Sequence, residues 1–271
     1  MSSGRSDRRS GRTSSRRDDP IWNRPSPGSR QPSHTRESIA RAAIEIADAE
    51  GFDALSMRRV ASHLGAGTMT LYHYVATKDE LLALVDDAIM GELVIPNDEL
   101  PRGWRDGIRE IAQRTRAALV NHPWVSDMPR PSQGGPNGAR HAEQSLAVMA
   151  RTGLPAGECM ELTALVDDYV FGYIRRYNFV RGAIENDAAT AAKEHRDAFV
   201  AAIAELDPRE FPHLYALFTE ADPDEQVKMF VERAVDPGRF ERGLEILLDG
   251  IEQRVGRVRP AAPRRPRRNA R

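Results

Sequence analysis

The 271-residue sequence contains one cysteine, Cys159, so it can form no internal disulfide and no cysteine-built zinc cluster. That usage suits a reducing compartment. Long apolar runs are also missing: the hydrophobic stretches are short and interrupted by charge, and none reads as a membrane span. The first thirty residues lack the apolar stretch of a secretory signal. The expectation is a soluble, cytoplasmic protein with no membrane partner. Catalytic signatures are absent too, with no Walker loop, dinucleotide fingerprint or nucleophile elbow. Glu194-His195, His122 and His141 fall in no HExxH or other metal-ligand spacing and read as solvated or capping groups. The chain is expected not to be an enzyme, with no metal and no cofactor.

Net charge is scarce as well, since 39 Lys and Arg against 40 Asp and Glu leave −1. Its distribution is uneven. Residues 1–32 hold eight Arg and three Asp (+5), and residues 254–271 hold eight Arg and no acid (+8), which leaves −14 on residues 33–253. Both ends are poor in large apolar residues, with only Ile21 and Trp22 in the first, so they read as a disordered basic arm (1–32) and a disordered Arg/Pro-rich tail (255–271). Such segments are solvated overhang or attach electrostatically to nucleic acid phosphates.

Between them periodicity is helical and no run of alternating β-branched residues stands out. A first helix starts at Thr35, carries Ile39, Ala43, Ile46 and Ala47, and stops at Gly51. Ser56 caps a short helix with Val60, Ala61 and Leu64, stopped by Gly65. Thr68 to Val75 forms another short helix. Thr77-Lys78-Asp79-Glu80 spells a capping box opening a helix that runs to Leu93. Further helices begin at Trp104 and end at Asn121-His122-Pro123, run from Ala139 to Gly153, start at Pro155, and start after Pro237. Asp127 to Gly138 reads as loop, and a variable region near 182–224 includes a short helix around 196–206. The fold class is all-α.

Residues 56–75 have the layout of a helix-turn-helix: short helix, glycine turn, second helix. Ala61 lets the helices cross closely, Gly65 supplies the turn, and Leu71 with Val75 gives the second helix a buried edge. Thr68, Met69, Thr70, Tyr72, His73 and Tyr74 are left for the opposite edge. Hydroxyls there suit phosphate oxygens, the methyls of Thr68 and Met69 suit a thymine methyl, and Arg58 or Lys78 can neutralise phosphates on either side. An ordinary helical hairpin with inward tyrosines is the plainer alternative. Residues 33–78 hold five basic and five acidic residues, but the acids lie largely on the first helix while Arg58, Arg59 and Lys78 flank the second.

Residues 35–94 resemble the DNA-binding domain of the TetR family of bacterial transcriptional repressors. The likeness rests on Ile44-Glu45-Ile46-Ala47 through Gly51-Phe52, on Ser56 to Leu64, and on Thr70-Leu71-Tyr72-His73-Tyr74-Val75 followed by Thr77-Lys78-Asp79-Glu80-Leu81. It implies that Thr68, Met69 and His73 face bases, that Thr70, Tyr72, Tyr74 and Lys78 touch the DNA backbone, and that Arg58 reaches base or phosphate. The remainder resembles a tetracycline-repressor-like C-terminal domain. That likeness rests on Trp104, His122-Pro123-Trp124, Gly135-Pro136-Asn137-Gly138-Ala139-Arg140, Tyr169-Val170-Phe171-Gly172-Tyr173 and Phe240 to Ile251.

The resemblance implies a helix-turn-helix DNA-binding domain at 33–80 and a helical ligand-binding and dimerisation domain at 81–254. The helices at 155–180 and 238–254 would pair with a second copy, and Phe240, Leu244, Leu247, Leu248 and Ile251 form an apolar stripe suited to that role, together with Leu162 and Val166. Packing within the same chain is the alternative for that stripe. Candidate ligand-lining residues are Trp104, Ile108, Ile111, Thr115, His122, Met128, His141, Tyr169 and Tyr173, each of which could equally be plain core. The two positions by which the tetracycline repressor holds its drug fall on Ile111 and Thr115, so binding of tetracycline with magnesium is not implied.

The expected function is a homodimeric, ligand-responsive regulator, a repressor released from palindromic double-stranded operator DNA by a small-molecule effector. Two other readings stay open. One is a constitutive architectural DNA binder relying on its Arg-rich ends; the other is a helical ligand-binding or enzymatic protein with a vestigial helix-turn-helix.

Overall fold

A computed structural model of the chain describes residues 20–24, 34–129, 131, 133–185, 201–202, 205–218 and 236–258. Regular structure among them is helical, as the sequence predicts: α1 Arg36–Glu50, α2 Met57–His63, α3 Thr68–Tyr74, α4 Lys78–Leu93, α5 Trp104–Asn121, α6 Pro136–Ala150, α7 Ala156–Glu185, α8 Pro212–Phe218 and α9 Pro237–Val258. Short 3-10 turns lie at Ile21–Asn23, Phe52–Ala54 and Pro123–Asp127. By packing, the described residues among 1–94 and 127–141 form a first unit, and those among 95–126 and 142–271 a second. Residues 81–94, which the sequence assigns to the second domain, thus go with the first three helices.

Local signals shape the first unit. Thr35 Oγ1 accepts from the Ser38 N–H at 3.1 Å while Ser38 Oγ accepts from the Thr35 N–H at 2.9 Å, so α1 starts on a reciprocal cap. Ser56 Oγ accepts from the Arg59 N–H to start α2. Gly65 has φ +65°, and the Ala66 N–H returns to the Ala61 carbonyl at 2.9 Å, closing α2 where a residue with a Cβ would be strained. The box opening α4 is only half reciprocal. Thr77 Oγ1 accepts from the Glu80 N–H at 3.1 Å, but the Glu80 carboxylate accepts from the Ala76 N–H at 2.7 Å, one residue upstream of the cap. Ile39, Ala43, Ile46, Leu55, Val60, Leu71, Val75, Leu81, Val85 and Ile89 fill the core, each at most 2% exposed. Burial of a side chain of the larger kind stabilises by about 1.5–3 kcal/mol.

Three boundaries differ from expectation. The arm read as disordered contains the turn Ile21–Asn23, with Ile21 fully buried, because its rare apolar residues find the first unit's surface. Helix α6 begins at Pro136, inside the stretch read as loop. Proline suits the first helical position, and the next two amides, of Asn137 and Gly138, donate to Asp87 Oδ1 of α4 at 2.7 and 3.1 Å. The C-terminal tail is helical as far as Val258, with Val255 buried. Residues 1–19, 25–33 and 259–271 lie outside the described residues, as does most of the short helix expected at 196–206. The helix α8 falls in the stretch read as variable.

The second unit is organised by packing between distant elements. Its core joins Ile108, Ile111, Ala112 and Leu119 of α5, Val148 and Met149 of α6, Val166, Val170, Tyr173 and Ile174 of α7, and Phe240, Leu244, Leu248 and Ile251 of α9. Phe240 stacks on Tyr169 at 5.5 Å between ring centres and meets Tyr173 edge-on at 5.1 Å. The Arg116 guanidinium lies over Phe240 at 5.2 Å and Tyr173 at 6.0 Å. Arg105 pairs with Glu245, Asp249 and Glu252, and Arg109 with Glu245, lacing α5 to α9. Gly243 is required where α7 meets α9: a Cβ there would run into the Tyr169 hydroxyl, which donates to the Phe240 carbonyl at 2.7 Å.

Candidate nucleic-acid interface

Helix α3 is two turns long, and its two edges differ sharply. Leu71 and Tyr74, with Val75 at its end, face the core, while Met69 is 74% and Tyr72 44% exposed. His73 is exposed as well, and Thr68 and Thr70 are half-buried. Two large side chains and a histidine held out from a short helix give a relief of apolar, aromatic and hydrogen-bonding groups that suits a base-lined groove. Tyr74 departs from expectation. It is only 9% exposed, because it lies three residues after Leu71 and so shares the inward edge.

Basic groups around α3 divide into two sets. Arg59 pairs with Glu50 at 2.5 Å, which holds the Glu50 carboxyl below its usual range, and His63 meets Glu45 at 2.9 Å. Both bonds tie α2 back to α1, and the first neutralises Glu50 with Arg59. Arg58 and Lys78 are exposed on either side of α3, with the Lys78 ammonium 5.7 Å from the centre of the Phe52 ring. The local balance near α3 is therefore more basic than the zero sum over residues 33–78.

The residues expected to line a ligand site fall into different settings. Ile108, Ile111 and Thr115 are core residues of α5, at 2, 4 and 3% exposure, and the Thr115 hydroxyl donates to the Ile111 carbonyl within its own helix. Trp104 packs against that core, and His122 meets the Trp124 ring at 6.0 Å. The Tyr169 and Tyr173 hydroxyls donate to the Phe240 and Asp236 carbonyls at the start of α9, so both rings serve the α7–α9 contact. Burial raises both phenols' pKa values. Met128 and His141 belong to the first unit, and burial lowers the His141 pKa.

Of the residues expected at a dimer contact, Val166, Phe240, Leu244, Leu248 and Ile251 are at most 4% exposed within the single chain. The apolar stripe of α9 is two-sided: its Phe240–Leu244–Leu248 edge closes on α5 and α7. The other edge carries Ile246, 73% exposed, which faces an open groove of about 800 Å³ shared with Leu165 of α7 (47% exposed) and the half-buried Leu162 and Leu247. Glu158, Glu161, Asp168 and Arg254 form its charged border. Sequence reasoning missed Leu165 and Ile246; an exposed isoleucine four residues from no other large apolar neighbour carries little periodic signal. It also missed Arg24, 12% exposed, whose guanidinium pairs with the buried Glu80 at 2.5 Å.

Asp167, beside Asp168 on α7, is pushed up to about 6 by burial and by that neighbouring carboxylate. Among the described residues no cluster of three or more His, Cys, Asp or Glu could hold a metal ion. No described helix is long and apolar enough to cross a membrane.

Comparison with known proteins gives the following. Residues 39–85 match the family model for bacterial regulatory proteins of the tetR family, and residues 96–255 match the model for the tetracyclin repressor-like C-terminal domain. The chain is 32% identical over 244 residues to the HTH-type transcriptional repressor DrrR1 of Streptomyces coeruleorubidus, covering 88% of this chain and 86% of the relative. It is 31% identical over 239 residues to an HTH-type transcriptional regulator of Saccharopolyspora erythraea, covering 87% and 92%. Among solved structures, ActR from Streptomyces coelicolor in complex with actinorhodin superposes with a TM-score of 0.64 at 29% identity, over 84% of this chain and 100% of that one.

Proposed function

The chain belongs to the TetR family of bacterial regulatory proteins and is a DNA-binding transcriptional regulator rather than an enzyme, and from that premise we propose that it is a homodimeric repressor released from its operator by a small molecule. One observation carries the reading: α3 buries Leu71 and Tyr74 and holds out Met69, Tyr72 and His73 beside the turn at Gly65. In this reading Thr68, Met69 and His73 meet base edges in the major groove, Thr70, Tyr72 and Lys78 bond phosphate oxygens, and Arg58 reaches from α2. Tyr74, being buried, holds α3 in place and offers DNA at most its hydroxyl.

Homodimerisation is supported by the groove between α7 and α9. Leu165 and Ile246 leave apolar surface uncovered there, with Leu162 and Leu247 beside them, a setting that the same helices of a second copy would close isologously. Two α3 helices then read half-sites about one helical turn apart, and the operator is near-palindromic.

A small-molecule effector is supported by the likeness to ActR, whose complex contains actinorhodin. In this chain the proposed contacts are Trp104, Ile108, Ile111, Thr115, His122, Tyr169 and Tyr173 of the second unit; Met128 and His141, which belong to the first unit, are left out of the proposed site. Thermodynamic linkage requires operator and effector to weaken each other by the same factor, typically 1–3 kcal/mol of coupling. The test is selection of bound sites from a random DNA pool, followed by screening metabolites for release. A palindromic consensus, released by one class of compound, is expected; a pool with no preferred sequence would replace this reading with that of a constitutive architectural binder.

A further inference from the structure

The described piece of the N-terminal arm, residues 20–24, is wedged into the first unit at the joint between α3 and α4. Four contacts hold it. The Ile21 side chain is fully buried, and the Ile21 N–H donates to Gln133 Oε1 at 3.0 Å. The Arg24 carbonyl accepts from Arg36 Nη1 at 2.9 Å, and Arg24 Nη2 pairs with Glu80 Oε1 at 2.5 Å. The pair is well buried, with side chains 12% and 8% exposed, so removing Arg24 would strip Glu80 of its direct partner and leave only the charge of the nearby Arg36 beside it.

Glu80 is the pivot of this arrangement. While one carboxylate oxygen meets Arg24, the other accepts from the Ala76 N–H at 2.7 Å. Ala76 follows Val75, the residue that ends α3. The direction in which α3 leaves the core is thus set by an amide held by Glu80, which is itself held by Arg24. Neither Ile21 nor Arg24 falls within the stretch matching the tetR-family DNA-binding model, which begins at residue 39.

We propose that Ile21–Arg24 is a positioning strap for operator reading: Arg24, acting through Glu80, fixes the Ala76 joint that aims α3, and Ile21 ties the same strap to Gln133, just ahead of α6. The proposal rests on the reading of α3 as the DNA-contacting helix. Arg24 acts through protein contacts and touches no phosphate. This separates the strap from a basic tail, whose effect on binding is electrostatic and set by the number of phosphates neutralised.

The test uses the full chain, its Arg24→Ala, Arg24→Lys and Glu80→Gln variants, and a version lacking residues 1–19. Two readouts are taken: hydrogen exchange at Ala76 in the free protein, and operator affinity as a function of salt. R24A is expected to speed Ala76 exchange and to weaken operator binding by roughly tenfold, the scale of one charge-assisted contact. The slope of log affinity against log salt should not change, R24K should restore part of both losses, and removal of residues 1–19 should leave Ala76 exchange as it is. E80Q keeps an acceptor for Ala76 while losing the charge, and is the milder variant with the same expected direction. Unchanged Ala76 exchange in both R24A and E80Q would overturn the strap. So would an R24A affinity loss accompanied by a slope smaller by about 0.9, the signature of one lost phosphate contact. Absence of any operator binding by the wild-type protein would instead overturn the reading of α3 on which the strap rests.

Discussion

The two units solve opposite problems. The first holds large side chains outward on a two-turn helix, with Met69 74% exposed, and its short helices take their ends from caps and glycines close by in sequence. The second turns aromatic and charged groups inward, so that Phe240 is fully buried among Tyr169, Tyr173 and Arg116, and its helices are fixed by partners more than fifty residues away. A reading surface needs a rigid frame built from local rules, because its functional groups contribute nothing to the core. The second unit's helical body is specified by which helix meets which.

Disturbing the second unit's core should give the largest effect. Phe240→Ala removes a ring packed against two tyrosines and is expected to cost about 3–5 kcal/mol. The loss is read by thermal melting, with exchange accelerating in α5, α7 and α9. If F240A instead melts normally but dissociates a dimer, the residue belongs to the partner contact after all, and the contrast drawn between the two edges of α9 fails.

A smaller effect separates two carboxyls of the same unit by pH. The Asp167 carboxyl is raised from 3.8 to about 6, so the folded state holds its proton more firmly than the unfolded chain; its stabilising contribution is present below about pH 4 and lost as pH rises to 6. Glu245 is lowered from 4.5 to about 2 by Arg109 and Arg105, so its contribution is present above pH 4.5 and lost as pH falls toward 2. After allowing for solvent screening, Asp167→Asn is expected to gain on the order of 1 kcal/mol at pH 7 relative to pH 4. Glu245→Gln should lose about 1 kcal/mol at pH 7, because the side chain is 39% exposed, and little at pH 2. Denaturant melts of both variants between pH 2 and 7 check the opposite signs.

The same contrast explains what the sequence revealed. Thr35, Gly51, Ser56, Gly65 and Thr77 act within a few residues of themselves, and the structure uses each at the helix end where its chemistry predicts it. The all-α class and the outward placement of Met69, Tyr72 and His73 followed from spacing alone. What could not be read depended on distant partners. The start of α6 is set by Asp87, which accepts from the Asn137 amide fifty residues later, and the arm piece at 20–24 is ordered by Glu80 and Gln133. Tyr74 looked like a surface residue because composition does not say which edge of a two-turn helix meets the core. The α9 stripe suggested a dimer face because apolar periodicity does not distinguish a partner's helix from the chain's own α7.

If the outward edge of α3 reads DNA, titrating the selected operator with wild-type protein and with the Thr70→Ala, Tyr72→Ala double variant will separate the two proteins. The side chains are half-buried and exposed respectively, so the variant should melt within a degree or two of wild type. Operator binding is predicted to weaken by about tenfold, roughly 1.4 kcal/mol for the two phosphate hydrogen bonds together. Equal affinity for the operator in the two proteins would contradict the assignment of α3 as the reading helix.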